Sequence, residues 1–206
     1  MIRDNLLEQT DSMRALELLK EGNRRFVEGR TQGSMTNIAE VRRLLAQKGQ
    51  VPFAVILGCS DSRVPPEVIF DVGAGQIFVV RTAGNVADAT VIGSVEYAVE
   101  HLCTQLVVIL GHNKCGAVAA AIGDGDYGPN IGVIISEIKP AIENLRASDA
   151  NEDSTAFLQE YEDKNILNTA AKLTKSTILQ KHLTDGTLKI ICAKYDLETG
   201  EVYFFK

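Results

Sequence analysis

The chain has 206 residues, 45% of them hydrophobic, with a formal net charge of −6 and 4 cysteines, enough for one well-buried α/β domain that needs no disulfide staple. That acidic balance excludes a nucleic-acid surface, which needs clustered Lys and Arg against phosphate. The opening MIRDNLLEQTDSM sets Asp and Glu among its apolar residues and does not read as a secretory signal, and no stretch approaches the roughly 20 apolar residues of a membrane span.

Residues 12–28 place Met13, Leu16, Leu19 and Phe26 at near-helical spacing, and residues 38–48, IAEVRRLLAQK, continue in the same style. Residues 1–48 are therefore expected to form an N-terminal helical arm packed on a partner subunit, with folding back on its own domain as the alternative. Next, VPFAVILG (51–58), QIFVVRTAG (76–84), LVVILGH (106–112) and LKIICAKYDL (188–197) are short runs rich in Val and Ile. They read as strands covered on both faces, which implies a mostly parallel sheet. Helical periodicity fills the intervals at 88–102, 116–122, 132–147 and 165–183, with Pro140 near a helix start or kink. The charged stretch 146–164 reads as a solvated helix and loop, and DLETGEVYFF as a hairpin turning at Thr199 and Gly200. The expectation is one α/β domain over 1–206, with four parallel strands, an antiparallel edge strand and flanking helices.

Ligands of open α/β sheets bind beyond the carboxyl ends of the strands. Cys59 and His112 stand there, after the first and third runs, and Cys115 follows His112 in GHNKCGAV, between Gly111 and Gly116. Two thiolates and one imidazole suit Zn²⁺, one per chain, and three protein ligands leave the fourth place open. Cys103 and Cys192 sit in apolar runs and read as inert core residues, and His101 and His182 fall on helices away from this rim. Asp61 either fills the fourth position in a closed form or is held off the metal by a bidentate pair with Arg63. In the open state, zinc lowers the pKa of a bound water and creates a hydroxide nucleophile, with Asp61 orienting it and Arg63 fixing Asp61.

CSDSRVPPE, GQIFVVRTAGN, SVEYAV, GHNKCGAV and the closing YDLETGEV together resemble the β-class carbonic anhydrases, from about residue 12 to residue 205. The resemblance implies a zinc lyase that reversibly hydrates CO₂ to bicarbonate and a proton. Zinc would be held by Cys59, His112 and Cys115, with Asp61 and Arg63 as the catalytic dyad. It also implies a homodimer, often doubled to a tetramer or more. Gln50 matches a glutamine that reaches substrate across the dimer, and Phe78 matches an aromatic lining the pocket. Ala83 stands where some relatives have valine, and the backbone N–H of Gly116 matches one that orients substrate. Ile56 occupies the place of a tryptophan that marks a bicarbonate-inhibited branch, and the chain has no Trp. That inhibitory site is predicted missing and the open form dominant at neutral pH.

Three rivals remain at this stage. A CS₂ or COS hydrolase could use the same zinc chemistry on the same scaffold. A non-catalytic zinc-binding relative would not need the Asp61 and Arg63 dyad. A redox thiol protein would favour a C-x-x-C spacing, which the cysteines lack. A cytoplasmic setting is expected, where thiols stay free to bind metal.

Overall fold

The apolar runs become strands because both of their faces are covered. The computed structural model describes residues 7–32, 39–123, 125–146 and 154–205. Strands β1 (Ala54–Cys59), β2 (Ile77–Thr82), β3 (Leu106–His112), β4 (Lys189–Tyr195) and β5 (Val202–Phe205) form one sheet in the order β2-β1-β3-β4-β5. The first four run parallel and β5 returns antiparallel on β4, the sheet that the sequence leads one to expect.

β1 and β3 are buried along their whole length, as central strands of a parallel sheet must be. One face carries Ile56, Val108 and Leu110 and packs on helix α1 (Ser12–Val27) and the single turn α3 (Pro66–Ile69), through Leu19, Ile69 and Phe70. The other carries Val55, Leu57, Val107 and Ile109 and packs on α4 (Ala89–His101), α7 (Ser154–Leu173) and α8 (Thr177–Thr184). That alternation follows from the two-residue period of a strand. Helices α5 (Gly116–Ile122) and α6 (Gly128–Arg146) meet in a third apolar cluster, through Val118, Ile135 and Ile138, which also takes in Cys59 and Cys115. Helix α2 (Ala39–Lys48) buries only Val41. No helix among the described residues is long and apolar enough to cross a membrane.

The buried stripe of α1 lies against its own chain, the alternative kept beside packing on a partner. Asp11 caps this helix by accepting the N–H groups of Met13 and Arg14 at 2.9 and 3.0 Å, and the apolar stripe that follows is used by its own chain. Ala15 and Leu19 are fully buried against the sheet. A Cβ on Gly22 would lie 1.9 Å from the Phe70 carbonyl oxygen, so only glycine permits this approach. Asn23 then donates to the carbonyls of Ile69 and Gly200 and accepts the N–H of Val202, stitching α1 to the terminal hairpin. Residues 1–6 and 33–38 of the expected arm lie outside the described residues.

Other boundaries also move. The helix expected over 165–183 is two, because the chain turns after Leu173 and Ser176 caps α8 by accepting the Leu179 N–H. The helix expected within 146–164 is the first part of α7, from Ser154, but it is not wholly solvated, since Tyr161 and Glu162 are buried; residues 147–153 of that stretch lie outside the described residues. Pro140 falls inside α6 rather than at a start. Cys192 is buried as expected, whereas Cys103 is exposed, turned out of the core by a φ of 56° just past the end of α4.

Leu19→Ala removes a side chain with 0% exposure and should lower unfolding free energy by about 2–5 kcal/mol. Met13→Ala, on a side chain 53% exposed, should change it by less than about 0.5 kcal/mol. Urea denaturation of both variants checks that α1 belongs to its own domain's core.

Candidate metal centre

β1 and β3 are adjacent and parallel, with Gly58 opposite Leu110, so both strands end at one edge of the sheet. Cys59 is the last residue of β1 and His112 the last of β3. The chain then turns through Asn113 and Lys114 and presents Cys115 in extended conformation just before α5. Lys114, not a flanking glycine, takes the left-handed conformation, at φ 55°, which costs a side-chain-bearing residue about 1–2 kcal/mol. The turn is held all the same: Asn113 donates to Asp196 and accepts the Leu197 N–H, both at 2.9 Å, and Lys114 pairs with Glu198. The result brings the two Sγ atoms and an imidazole nitrogen within 4.8 Å of one another, on three buried residues.

These residues fit a zinc ion. His112 Nδ1 lies 2.8 Å from the carbonyl of Asn113, to which it donates, leaving the lone pair on Nε2. Nε2 is buried with no hydrogen-bond partner, a costly state for a polar atom unless a metal takes the lone pair. The hydrogen bond from Cys115 lowers the pKa of the Cys59 thiol, and the N–H groups of Asp61 and Gly84 lower it further. The Gly84 N–H reaches Cys59 Sγ at 3.3 Å. Such donors stabilise a thiolate, the form that binds metal.

Asp61 stands outside the three-donor cluster. Its Oδ1 accepts Arg63 Nε at 2.9 Å and the Arg63 N–H at 2.9 Å, and its Oδ2 accepts Arg63 Nη2 at 2.7 Å. The Arg63 guanidinium holds the Asp61 carboxyl well below the usual carboxylate range. The same Oδ2 lies 3.9 Å from His112 Nε2, beside the metal position. Arg63 is half exposed, and a surface pair of this kind is worth at most about 1 kcal/mol of stability, so the pair fixes direction more than it adds stability. Arg81 of β2 straps the backbone below, donating to the carbonyls of Cys59 at 2.9 Å and Asp61 at 2.6 Å.

Helix α7 contributes a set of residues the sequence reading passed over. Glu162 accepts the Cys115 N–H at 3.1 Å, Asn165 donates to the Gly84 carbonyl at 2.7 Å, and Thr169 donates to the Asn85 carbonyl at 3.0 Å. Their only trace in the sequence is spacing: 162, 165 and 169 share one helix face with Ile166 and Leu173, so polar residues occupy a buried stripe.

The four softer candidates divide into two pairs. Gly116 opens α5 next to Cys115, and Ala83 directly follows Thr82, the register partner of Cys59. Phe78 pairs with Val55 near the start of β2, about 13 Å of strand from the rim, and Gln50 precedes the amino end of β1. Neither reaches the metal centre of its own chain.

The family model described as carbonic anhydrase matches residues 54–202. Carbonic anhydrase 2 of Mycobacterium tuberculosis is 41% identical over 196 residues, 93% of this chain and 91% of that protein. The chain belongs to the β-carbonic anhydrase family. A carbonic anhydrase of Mycolicibacterium smegmatis is 39% identical over 193 residues, covering 91% of this chain and 90% of its own. Among solved structures, the β-carbonic anhydrase CafA of Aspergillus fumigatus superposes with a TM-score of 0.74 at 28% identity, over 81% of this chain and 82% of that one. As a β-carbonic anhydrase this protein uses zinc, and it catalyses the reversible hydration of carbon dioxide to bicarbonate and a proton.

Thiol labelling should separate the four cysteines of this carbonic anhydrase. In zinc-loaded protein Cys103 alone reacts promptly, because it is exposed. Cys192 stays unlabelled, buried and with its thiol pushed up to about 11 by that burial. Cys59 and Cys115 should become reactive only after chelation, and mass spectrometry of alkylated peptides reads all four.

Proposed function

We propose that Asp61 and Arg63 are the catalytic dyad of this carbonic anhydrase, with Cys59, His112 and Cys115 holding the zinc. The carrying observation is the bidentate Arg63 grip on Asp61, which leaves Oδ2 3.9 Å from His112 Nε2. Zinc, when bound there, supplies the positive charge that makes a water nucleophilic near neutral pH. Asp61 Oδ2, 3.9 Å from His112 Nε2, would accept a hydrogen bond from a substrate water there and orient it toward carbon dioxide. Arg63 keeps the carboxylate ionised and holds it apart from the Cys59, His112 and Cys115 donors. Ala83 forms part of the apolar wall, and the N–H of Gly116, an exposed residue at the start of α5, orients a substrate oxygen.

The working unit in this proposal is a homodimer. β2 is an edge of the sheet, and Phe78 meets Tyr97 in a tilted ring pair, centroids 6.4 Å apart, the Tyr97 side of it 50% exposed on α4. A second copy docked on this edge would bring Phe78 and Gln50 to its neighbour's metal centre. One of two tetrameric β-carbonic anhydrases of Sordaria macrospora, 25% identical to this chain with a TM-score of 0.72 over 83% of this chain and 93% of the other, favours doubling of such a dimer. The unpaired cysteines suit a reducing compartment, and we place the enzyme in the cytoplasm, as a single catalytic domain.

Stopped-flow CO₂ hydration on zinc-counted protein tests the dyad. Asp61→Ala should keep its zinc and lose at least about 10²-fold in kcat, and Arg63→Ala should lose a comparable factor. An Asp61→Ala enzyme of unaltered rate would refute the proposal, and a wild-type preference for CS₂ over CO₂ would redirect it to the alternative substrate.

A further inference from the structure

We infer that Glu162, braced by Lys194, is a positioning residue for the metal centre: it grips the backbone of Cys115 and so sets where that sulfur lies. This rests on the assignment of Cys59, His112 and Cys115 to zinc. The Glu162 side chain is 1% exposed, on the α7 stripe whose neighbours Ile166 and Leu173 belong to the apolar core. Desolvating a carboxylate in such a place costs several kcal/mol unless both oxygens are engaged. Oε1 accepts the Cys115 N–H at 3.1 Å, and Oε2, which has no hydrogen-bond partner, is compensated by charge alone, in an ion pair at 3.0 Å with Lys194 Nζ. Lys194 also reaches Asp163 at 2.9 Å and donates to the Gln159 carbonyl at 3.0 Å, so one helix holds its ammonium at three points.

The far side of the brace is the strand beside His112. β4 sets Lys194 opposite Gly111 and Tyr195 opposite His112, and the Tyr195 carbonyl accepts the Asn113 N–H at 3.2 Å. The Glu162 and Lys194 pair therefore joins the helix that grips Cys115 to the strand that registers His112. For stability alone, an apolar pair of similar volume would serve as well or better. An apolar pair could not accept the Cys115 amide hydrogen, which precedes α5 and has no carbonyl partner inside that helix.

The test compares full-length Glu162→Ala, Glu162→Gln and Lys194→Met with the unaltered protein and with Leu179→Ala, a core truncation on α8 that leaves the loop alone. Three quantities are read: zinc affinity by chelator competition, the visible spectrum of the Co²⁺-substituted protein, and the separate kcat and KM for CO₂. Glu162→Ala should weaken zinc binding about 10- to 100-fold, shift the cobalt bands and lower kcat with KM nearly constant. Glu162→Gln keeps an oxygen for the Cys115 N–H and should recover most of the affinity, and Lys194→Met should fall between. Leu179→Ala should lose stability with none of these changes. If Glu162→Ala does not fold, Lys194→Met decides the matter by the same readings. Unaltered affinity and cobalt spectrum in the deciding variant would overturn the inference, as would Leu179→Ala reproducing its effects. Unaltered protein that took up no zinc would instead overturn the metal assignment beneath it.

Discussion

The parallel pairing of β1 with β3 is the constraint on which the metal centre depends. It makes two strands end together, and the first residue able to bind metal at each end is Cys59 or His112. Because side chains alternate along a strand, a slip of one residue would turn each of these to the opposite face. The register is held by burial: Val55, Leu57, Val107 and Ile109 face α4 and α7, while Ile56, Val108 and Leu110 face α1 and α3. The hydrophobic effect thus fixes the position of a polar site it does not itself occupy. Only Cys115 escapes this control, since it follows a turn, and it is there that side chains from elsewhere take hold.

Around the three candidate ligands, buried and half-buried polar groups do what apolar packing cannot. Arg81 fixes the carbonyls of Cys59 and Asp61, Glu162 takes the Cys115 N–H, and Asn165 takes the Gly84 carbonyl. Gly84 in turn gives its N–H to Cys59 Sγ. Its φ of 69° and the 2.8 Å that would separate a Cβ from Ile138 Cδ1 leave glycine as the residue that fits. Each link is a modest hydrogen bond, on the order of 1 kcal/mol net, yet each restricts direction. Directional restraint of the ligands is what prepares a site for metal before metal arrives.

The sequence disclosed most of this architecture for a physical reason. Strands covered on both faces must be nearly all apolar, so Cys59 and His112 stand out as the residues that end such runs, and Asp61 and Arg63 as charges placed directly after one. α7 was hidden for the converse reason. Its charged residues at 162 and 163 suit a solvated face unless one knows that Lys194, far away in the chain, supplies the counter-charge. Cys103 misled because its neighbours are apolar, while a single left-handed residue after α4 turns the thiol outward. The stripe of α1 is equally ambiguous: amphipathic periodicity tells that a face is buried, not against which chain, and the close contact of Gly22 with Phe70 is what assigns it to its own.

The most direct test of the account is zinc K-edge absorption spectroscopy of the purified protein, alone and with Asp61 replaced by asparagine. The account predicts two sulfurs at about 2.3 Å, one imidazole nitrogen at about 2.0–2.1 Å and one further light atom, in the same proportions in both proteins. A third sulfur, or a shell in which the fourth ligand changes with the Asp61 substitution, would contradict a centre built from Cys59, His112 and Cys115 with its last position left to solvent.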